Sequence, residues 1–266
     1  MMSKLKLFFA TVLAFLLSLS LQAQADTLDD IVKRGSLKVG VSLFEPWTMD
    51  SGTGEYYGFE VDVANKLAQD MGVKAEFKTY EWDHIISALN KGEIDVIAGG
   101  MAITPARALI LNFSLPYADS GIVMVANSEL TKQITSMEHA NQKDVVFAVV
   151  AETTSNELAG SLFDNATIKP YKTAQEAAEA VISGAAHVYI GSSPQPEFLA
   201  LEHPDVLDLP LDKPLLTYKA GLAIKKGQPE WLNFLNAWVT AKSADKWLSA
   251  THDYWFENLD WRQGTN

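Results

Sequence analysis

With 266 residues, 48% of them hydrophobic and 20% charged, the chain can bury one large core or two lobes of ordinary size, and it is not a disordered segment. A formal charge of -12 argues against a nucleic-acid binder, because phosphate contacts need clustered Lys and Arg. The absence of cysteine excludes disulfides, thiolate metal sites, a thiol nucleophile and an acylated lipoprotein cysteine.

Residues 1–25 read as an export leader outside the fold. Lys4 and Lys6 give a positive start, Leu7 to Leu21 is apolar apart from small hydroxyl residues, and Ala23-Gln24-Ala25 is a small-x-small cleavage pattern. The mature chain is therefore expected to begin at Asp26. A membrane anchor is the alternative. The apolar run is short for a bilayer core of about 30 Å, however, and no positive stop-transfer cluster follows it.

Downstream, short β-rich runs alternate with amphipathic helices. Leu37 to Ser42 reads as a strand, and Val61, Ala64, Leu67, Ala68 and Met71 then fall at helical spacing up to Gly72. Val73 to Thr79 is a second strand, Ile85, Ile86 and Leu89 mark a helix ending near Gly92, and Ile94 to Ala98 is a third strand. This βαβαβ order implies a parallel sheet. After Ser128 a similar series begins. Strands are expected at Val145 to Val150, Thr167 to Tyr171 and Ala186 to Ile190, with helices at Thr154 to Phe163 and Thr173 to Ser183. A strand at Ala220 to Ile224 precedes helices at Pro229 to Ala241 and Ser243 to His252. Two α/β units of this kind place strand ends and helix N-termini around a common cleft.

Four segments carry a resemblance, in this order along the chain. They are Gly58-Phe59-Glu60-Val61-Asp62-Val63-Ala64-Asn65-Lys66-Leu67-Ala68, Glu81-Trp82-Asp83-His84-Ile85-Ile86-Ser87-Ala88-Leu89, Gly99-Gly100-Met101-Ala102-Ile103-Thr104-Pro105-Ala106-Arg107 and Phe113-Ser114-Leu115-Pro116-Tyr117. Together they resemble the family 3 bacterial extracellular solute-binding proteins, the periplasmic receptors of polar amino-acid ABC transporters. The resemblance implies a type II, two-lobed α/β fold of two parallel-sheet lobes. Residues 26–120 plus 219–266 would form lobe 1 and residues 121–218 lobe 2. Hinge strands would pass near Ala118 to Ile122 and Tyr218 to Gly221, and the lobes would close over the ligand. It also implies a monomer in the periplasm whose partners are a small carboxylate-bearing ligand and an inner-membrane ABC permease. No cofactor, metal or catalytic residue is expected.

Arg107 is the first candidate. Thr104-Pro105-Ala106-Arg107 reads as a helix start, with Thr104 as N-cap and Pro105 at the first position. Free backbone N–H groups there favour an anion, and a guanidinium can hold a carboxylate bidentately. The resemblance implies that role for Arg107. It also places Phe44, Trp47 and Trp82 where aromatics enclose the ligand, although each ring is equally compatible with the core. Gly100 and Ala102 would offer backbone groups. Thr153 and Thr154 would donate to the carboxylate from lobe 2, while Thr154 with Glu157 also has the spacing of a capping box.

Three positions depart from the family pattern. Ala102 replaces a hydroxyl residue, Glu152 replaces a glycine, and Ser192 replaces the aspartate that binds the ligand's α-ammonium. A buried ammonium without a carboxylate is costly. Either Glu152 supplies the charge from another direction, or the ligand has no free α-ammonium. The main rival function is a periplasmic dehydratase of the same fold, similar to cyclohexadienyl dehydratase, with Glu152 as general acid. A ligand sensor feeding a signalling receptor is a third reading. The five histidines show no H-x-x-H or H-E-x-x-H spacing, no His/Asp/Glu cluster has metal-ligand spacing, and Gly-x-Ser-x-Gly, P-loop and dinucleotide fingerprints are absent.

Overall fold

The computed structural model describes residues 27–134, 136–257 and 261, so the expected leader lies outside the described residues. The first half contains α1 (Thr27–Arg34), β1 (Ser36–Val41), the short hairpin β2 (Met49–Asp50) and β3 (Tyr56–Tyr57), α2 (Phe59–Asp70), β4 (Lys74–Thr79), α3 (Trp82–Asn90), β5 (Val96–Ile97) and α4 (Pro105–Ala108). β6 (Leu111–Asn127) leads into α5 (Met137–Ala140), β7 (Val146–Val150), α6 (Thr154–Leu162), β8 (Thr167–Tyr171), α7 (Ala174–Ile182), β9 (Val188–Ser192), α8 (Gln195–Glu202) and β10 (Leu207–Asp208). β11 (Leu216–Lys225) returns the chain to the first half, where α9 (Pro229–Ala244) and α10 (Trp247–Phe256) complete it. No helix among the described residues is long and apolar enough to cross a membrane.

The strand order is β4-β1-β5-β11-β6-β9-β7-β8, with β10 added beside β6. β1 pairs in parallel with β4 and β5, and β7 pairs in parallel with β8 and β9. These are the two expected βαβαβ units. The long β6 and β11 join them as an antiparallel pair, in which Ser120 faces Tyr218 and Ala118 faces Ala220 before the register shifts at Gly221.

Hydrophobic burial follows the helix periodicity read above. Val63, Ala64, Leu67 and Ala68 of α2 pack with Ile31, Val39, Leu222, Trp231 and Trp255, while Ile85 and Leu89 of α3 close over Ile94 and Ile97. The second unit has its own core on both faces of its sheet, with Phe147, Phe163 and Ile190 on one and Ala148, Ala177 and Val181 on the other. α8 crosses the divide, since Phe198 packs into the first core and lies 6.2 Å from the Trp261 ring. α7 begins with a complete capping box between Thr173 and Glu176. The box expected between Thr154 and Glu157 is not formed. α6 is capped by Thr153, whose side chain accepts from the Asn156 N–H at 3.2 Å, so the helix register starts one residue earlier than that spacing assumed.

Candidate functional site

A cavity of about 350 Å³ opens between the two units. Ser42, Leu43, Phe44, Tyr80, Trp82, Gly99, Gly100, Ala102 and Arg107 line it from the first, and Val150, Thr153, Thr154, Lys172, Ile190, Gly191 and Ser192 from the second, with Tyr218 between them. Eight of the eleven candidates from the sequence therefore meet here: Phe44, Trp82, Gly100, Ala102, Arg107, Thr153, Thr154 and Ser192. Trp47, Thr104 and Glu152 do not line it.

Arg107 is 8% exposed. Its guanidinium stands over the Trp82 ring, 5.8 Å from the centroid, and donates through Nη1 to the Ala102 carbonyl at 3.2 Å. Nη2 reaches the Glu152 carbonyl across the cavity at 3.5 Å. Burial lowers its pKa below the usual arginine value, offset in part by the charge of Glu157. It remains a cation, and among the described residues no carboxylate pairs with it. Thr104 caps α4 and accepts from the Arg107 N–H, as its sequence position implied. α4 has only four residues, and the Arg107 N–H in its first turn is already bound to the Thr104 hydroxyl.

Trp47 is core and not ligand wall. Its ring has no exposed surface and packs against Phe44, Phe59 and Phe256 at centroid distances of 6.1, 5.7 and 4.7 Å. It lies directly beneath Gly100, which has φ 61° and whose added Cβ would meet the indole at 2.8 Å. The glycine is therefore needed both for its backbone conformation and for the close approach of the indole.

Two expected backbone contacts are already committed within the protein. The Gly100 N–H donates to Glu60 Oε1 at 2.5 Å, and the Ala102 carbonyl accepts from Arg107. Thr153 donates its hydroxyl proton to the Val150 carbonyl at 2.7 Å. Thr154 is left as the cavity threonine of the second unit whose hydroxyl has no hydrogen-bond partner among the described residues. Glu152 has a left-handed backbone, φ 58°, and its side chain is exposed away from the cavity, so it offers the site a carbonyl and no charge. The residue stands where glycine would adopt the same turn at lower cost.

Several site residues were not identified from the sequence. Tyr218 lies on β11 opposite Ser120, and its hydroxyl is influenced by the Ser120 and Ser192 hydroxyls. Glu81 and Lys172 reach toward each other across the cavity mouth at 3.8 Å. Glu81, Asp83 and His84 bring ligand atoms within 4.8 Å of one another, contrary to the expectation of no such cluster. All three are exposed, and His84 Nδ1 lies 3.0 Å from Asp83 Oδ1 at the surface.

Glu60 was quoted within the second-helix motif without a role. It is fully buried beneath the cavity floor, accepts from the Tyr117 hydroxyl and the Gly100 N–H, and leaves Oε2 without a partner. Its position in the first turn, between Phe59 and Val61 on an otherwise apolar face, was the available signal. Burial pushes its carboxyl up to about 7, against the lowering effect of the two hydrogen bonds. The folded state thus holds this proton more tightly than the unfolded state, so Glu60 stabilises the fold most at low pH. That contribution should be lost as pH rises from about 4.5 to about 7, by about 3 kcal/mol in all. Urea unfolding of the wild type and Glu60→Gln at pH 5 and pH 8 checks this. The wild type should lose more stability than the variant between the two, and equal losses would show that Glu60 does not titrate in this window.

A sequence model of the bacterial extracellular solute-binding proteins, family 3, matches residues 37–258. The chain is 28% identical over 195 residues to the octopine-binding periplasmic protein of Rhizobium meliloti, a match covering 65% of this chain and 66% of that protein. It is 22% identical over 246 residues to the cyclohexadienyl dehydratase of Pseudomonas aeruginosa, covering 92% and 91%. Among solved structures, an ancestral amino acid-binding protein, described as a precursor of cyclohexadienyl dehydratase, is similar with a TM-score of 0.79 and 35% identity, covering 87% of this chain and all of that one.

Proposed function

The chain belongs to the bacterial extracellular solute-binding proteins, family 3, and has the type II two-lobed fold of their amino-acid-binding members; from that premise we propose that it captures a small carboxylate-bearing ligand between two closing lobes and delivers it to an inner-membrane ABC permease. Lobe 1 comprises residues 26–120 and 219–266, lobe 2 comprises residues 121–218, and the paired segments of β6 and β11 around Ser120 and Tyr218 form the hinge. The protein acts as a periplasmic monomer, exported by its leader.

The observation that carries this reading is Arg107. It is a buried cation on the wall of an interlobe cavity, it has no carboxylate partner among the described residues, and it is stacked on Trp82. A carboxylate entering the cavity completes the guanidinium's hydrogen bonding, and contacts from the second unit then favour closure. A dehydratase of the same fold requires a general acid in the cavity. The carboxylate first considered for that task, Glu152, faces solvent, so binding without chemistry is the better-supported reading.

Thermal-shift measurements on protein unfolded, freed of ligand and refolded test the proposal. A carboxylate at 100 times its dissociation constant should add about 2.7 kcal/mol, which raises the melting temperature by several degrees. The same panel, extended to cyclohexadienyl carboxylates, is followed by absorbance and mass spectrometry. Turnover of any hit would replace the receptor reading with an enzymatic one, and a panel in which only cations or neutral sugars stabilise the protein would overturn the carboxylate reading.

A further inference from the structure

We propose that the ligand is a monoanionic carboxylic acid with no protonated amine, such as a 2-hydroxy, 2-oxo or N-acylated acid, instead of a free α-amino acid. The inference rests on the interlobe cavity being the ligand site and concerns only which carboxylates it accepts.

The charges on the cavity wall carry the argument. Its charged groups are Arg107, Lys172 and Glu81. Glu81 and Lys172 lie at the mouth, with side chains 40% and 70% exposed, and oppose each other at 3.8 Å. Among the described residues this leaves Arg107 as the single fixed charge in the interior. Around it the polar side chains are hydroxyls, and the Ala102 and Glu152 carbonyls already face the guanidinium. Tyr218 feels the arginine's charge and lies with Ser192 on the cavity wall, and Thr154 faces the same space.

An α-ammonium is tied to its carboxylate through one carbon, so it must lie in this hydroxyl-lined region whenever the carboxylate meets Arg107. No anionic oxygen is available to it there. The carboxylates outside the lining do not alter this. Glu152 and Glu157 are exposed, and Glu60 is sealed under Gly100 with its Oε1 bonded to Tyr117 and the Gly100 N–H. Desolvating an ammonium against neutral hydroxyls and carbonyls, with no anion, is costly, whereas a hydroxyl, ketone or amide at the same carbon is satisfied by the hydroxyls. Leu43, Phe44, Trp82, Val150 and Ile190 give the remaining walls an apolar surface, which suits a branched or aromatic side chain.

Isothermal titration of the ligand-freed protein with matched sets tests this. The sets are phenylalanine, phenyllactate, phenylpyruvate and N-acetylphenylalanine, and leucine with its 2-hydroxy, 2-oxo and N-acetyl counterparts. In at least one set the amine-free member should bind more than 10-fold tighter than the amino acid. Ser192→Asp should reverse that order by restoring an anion beside the hydroxyl cluster, and Ser192→Asn should leave it unchanged. A wild type that prefers the amino acid in every set that binds overturns this inference and leaves the cavity as the ligand site. A protein that binds no member of either set, as wild type or as Ser192→Asp, overturns the reading of the cavity and this inference with it.

Discussion

Arg107→Ala is expected to weaken ligand binding by roughly 30-fold to several thousand-fold, equivalent to about 2–5 kcal/mol, the range for truncating one partner of a buried charged pair. The loss is large because the guanidinium is held ready for its ligand. The Trp82 face and the Ala102 carbonyl fix its plane before any carboxylate arrives, so little rotamer freedom is lost on binding. Arg107→Lys should fall between wild type and alanine, since an ammonium keeps the charge but loses the planar fork and much of the stacking. Stability should not fall in parallel. The cation is desolvated and unpaired in the ligand-free protein, so its removal is expected to leave the urea midpoint unchanged or raised. Titration of each variant with the tightest-binding carboxylate, beside its urea unfolding curve, separates the two effects. Equal affinity in Arg107→Ala and wild type would remove Arg107 from the site.

Trp47→Ala should have the largest effect on stability, about 3–5 kcal/mol, as expected for deleting a fully buried indole from a core that cannot collapse around the gap. Three aromatic neighbours and the Gly100 backbone rest on that ring. The variant should therefore also bind more weakly at saturating structural integrity, because Phe44 and Gly100 form cavity wall on top of it. Trp47→Phe should lose much less. It retains most of the apolar area and removes an indole N–H that has no hydrogen-bond partner among the described residues. Urea midpoints at constant m-value report the change. A loss below about 1 kcal/mol in Trp47→Ala would contradict its place as the support of the cavity floor.

The difference between Trp47 and Trp82 shows where reading the chain reaches its limit. Both are single tryptophans beside strand ends, and nothing within a few residues of either tells wall from core. Trp82 opens α3 and reaches the cavity beside Gly99, whereas Trp47 is enclosed by Phe59 and by Phe256, which lies more than 200 positions away. The same holds for Glu152. Its side chain turns outward because the backbone adopts φ 58°, a conformation set by how β7 enters α6. Glu60 was hidden for the opposite reason. A carboxylate in a first helical turn is ordinary, and only the packing of Tyr117 and Gly100 over it makes it a buried acid.

What the amino-acid sequence determined by itself was local or periodic. The alternation of apolar runs set two βαβαβ units, Thr104-Pro105 set the start of α4, and the four motif segments pointed to the family and to Arg107. These features depend on contacts within one element or between neighbouring ones, which leave a regular trace along the chain. The tertiary structure alone decided which side chains share the cavity, that Tyr218 joins Ser192 there, and that among the described residues no carboxylate stands in its interior. Those outcomes arise where β6 and β11 carry the chain between the units and bring positions from separate elements together. Side-chain environment there is set by long-range packing, which has no period in the sequence.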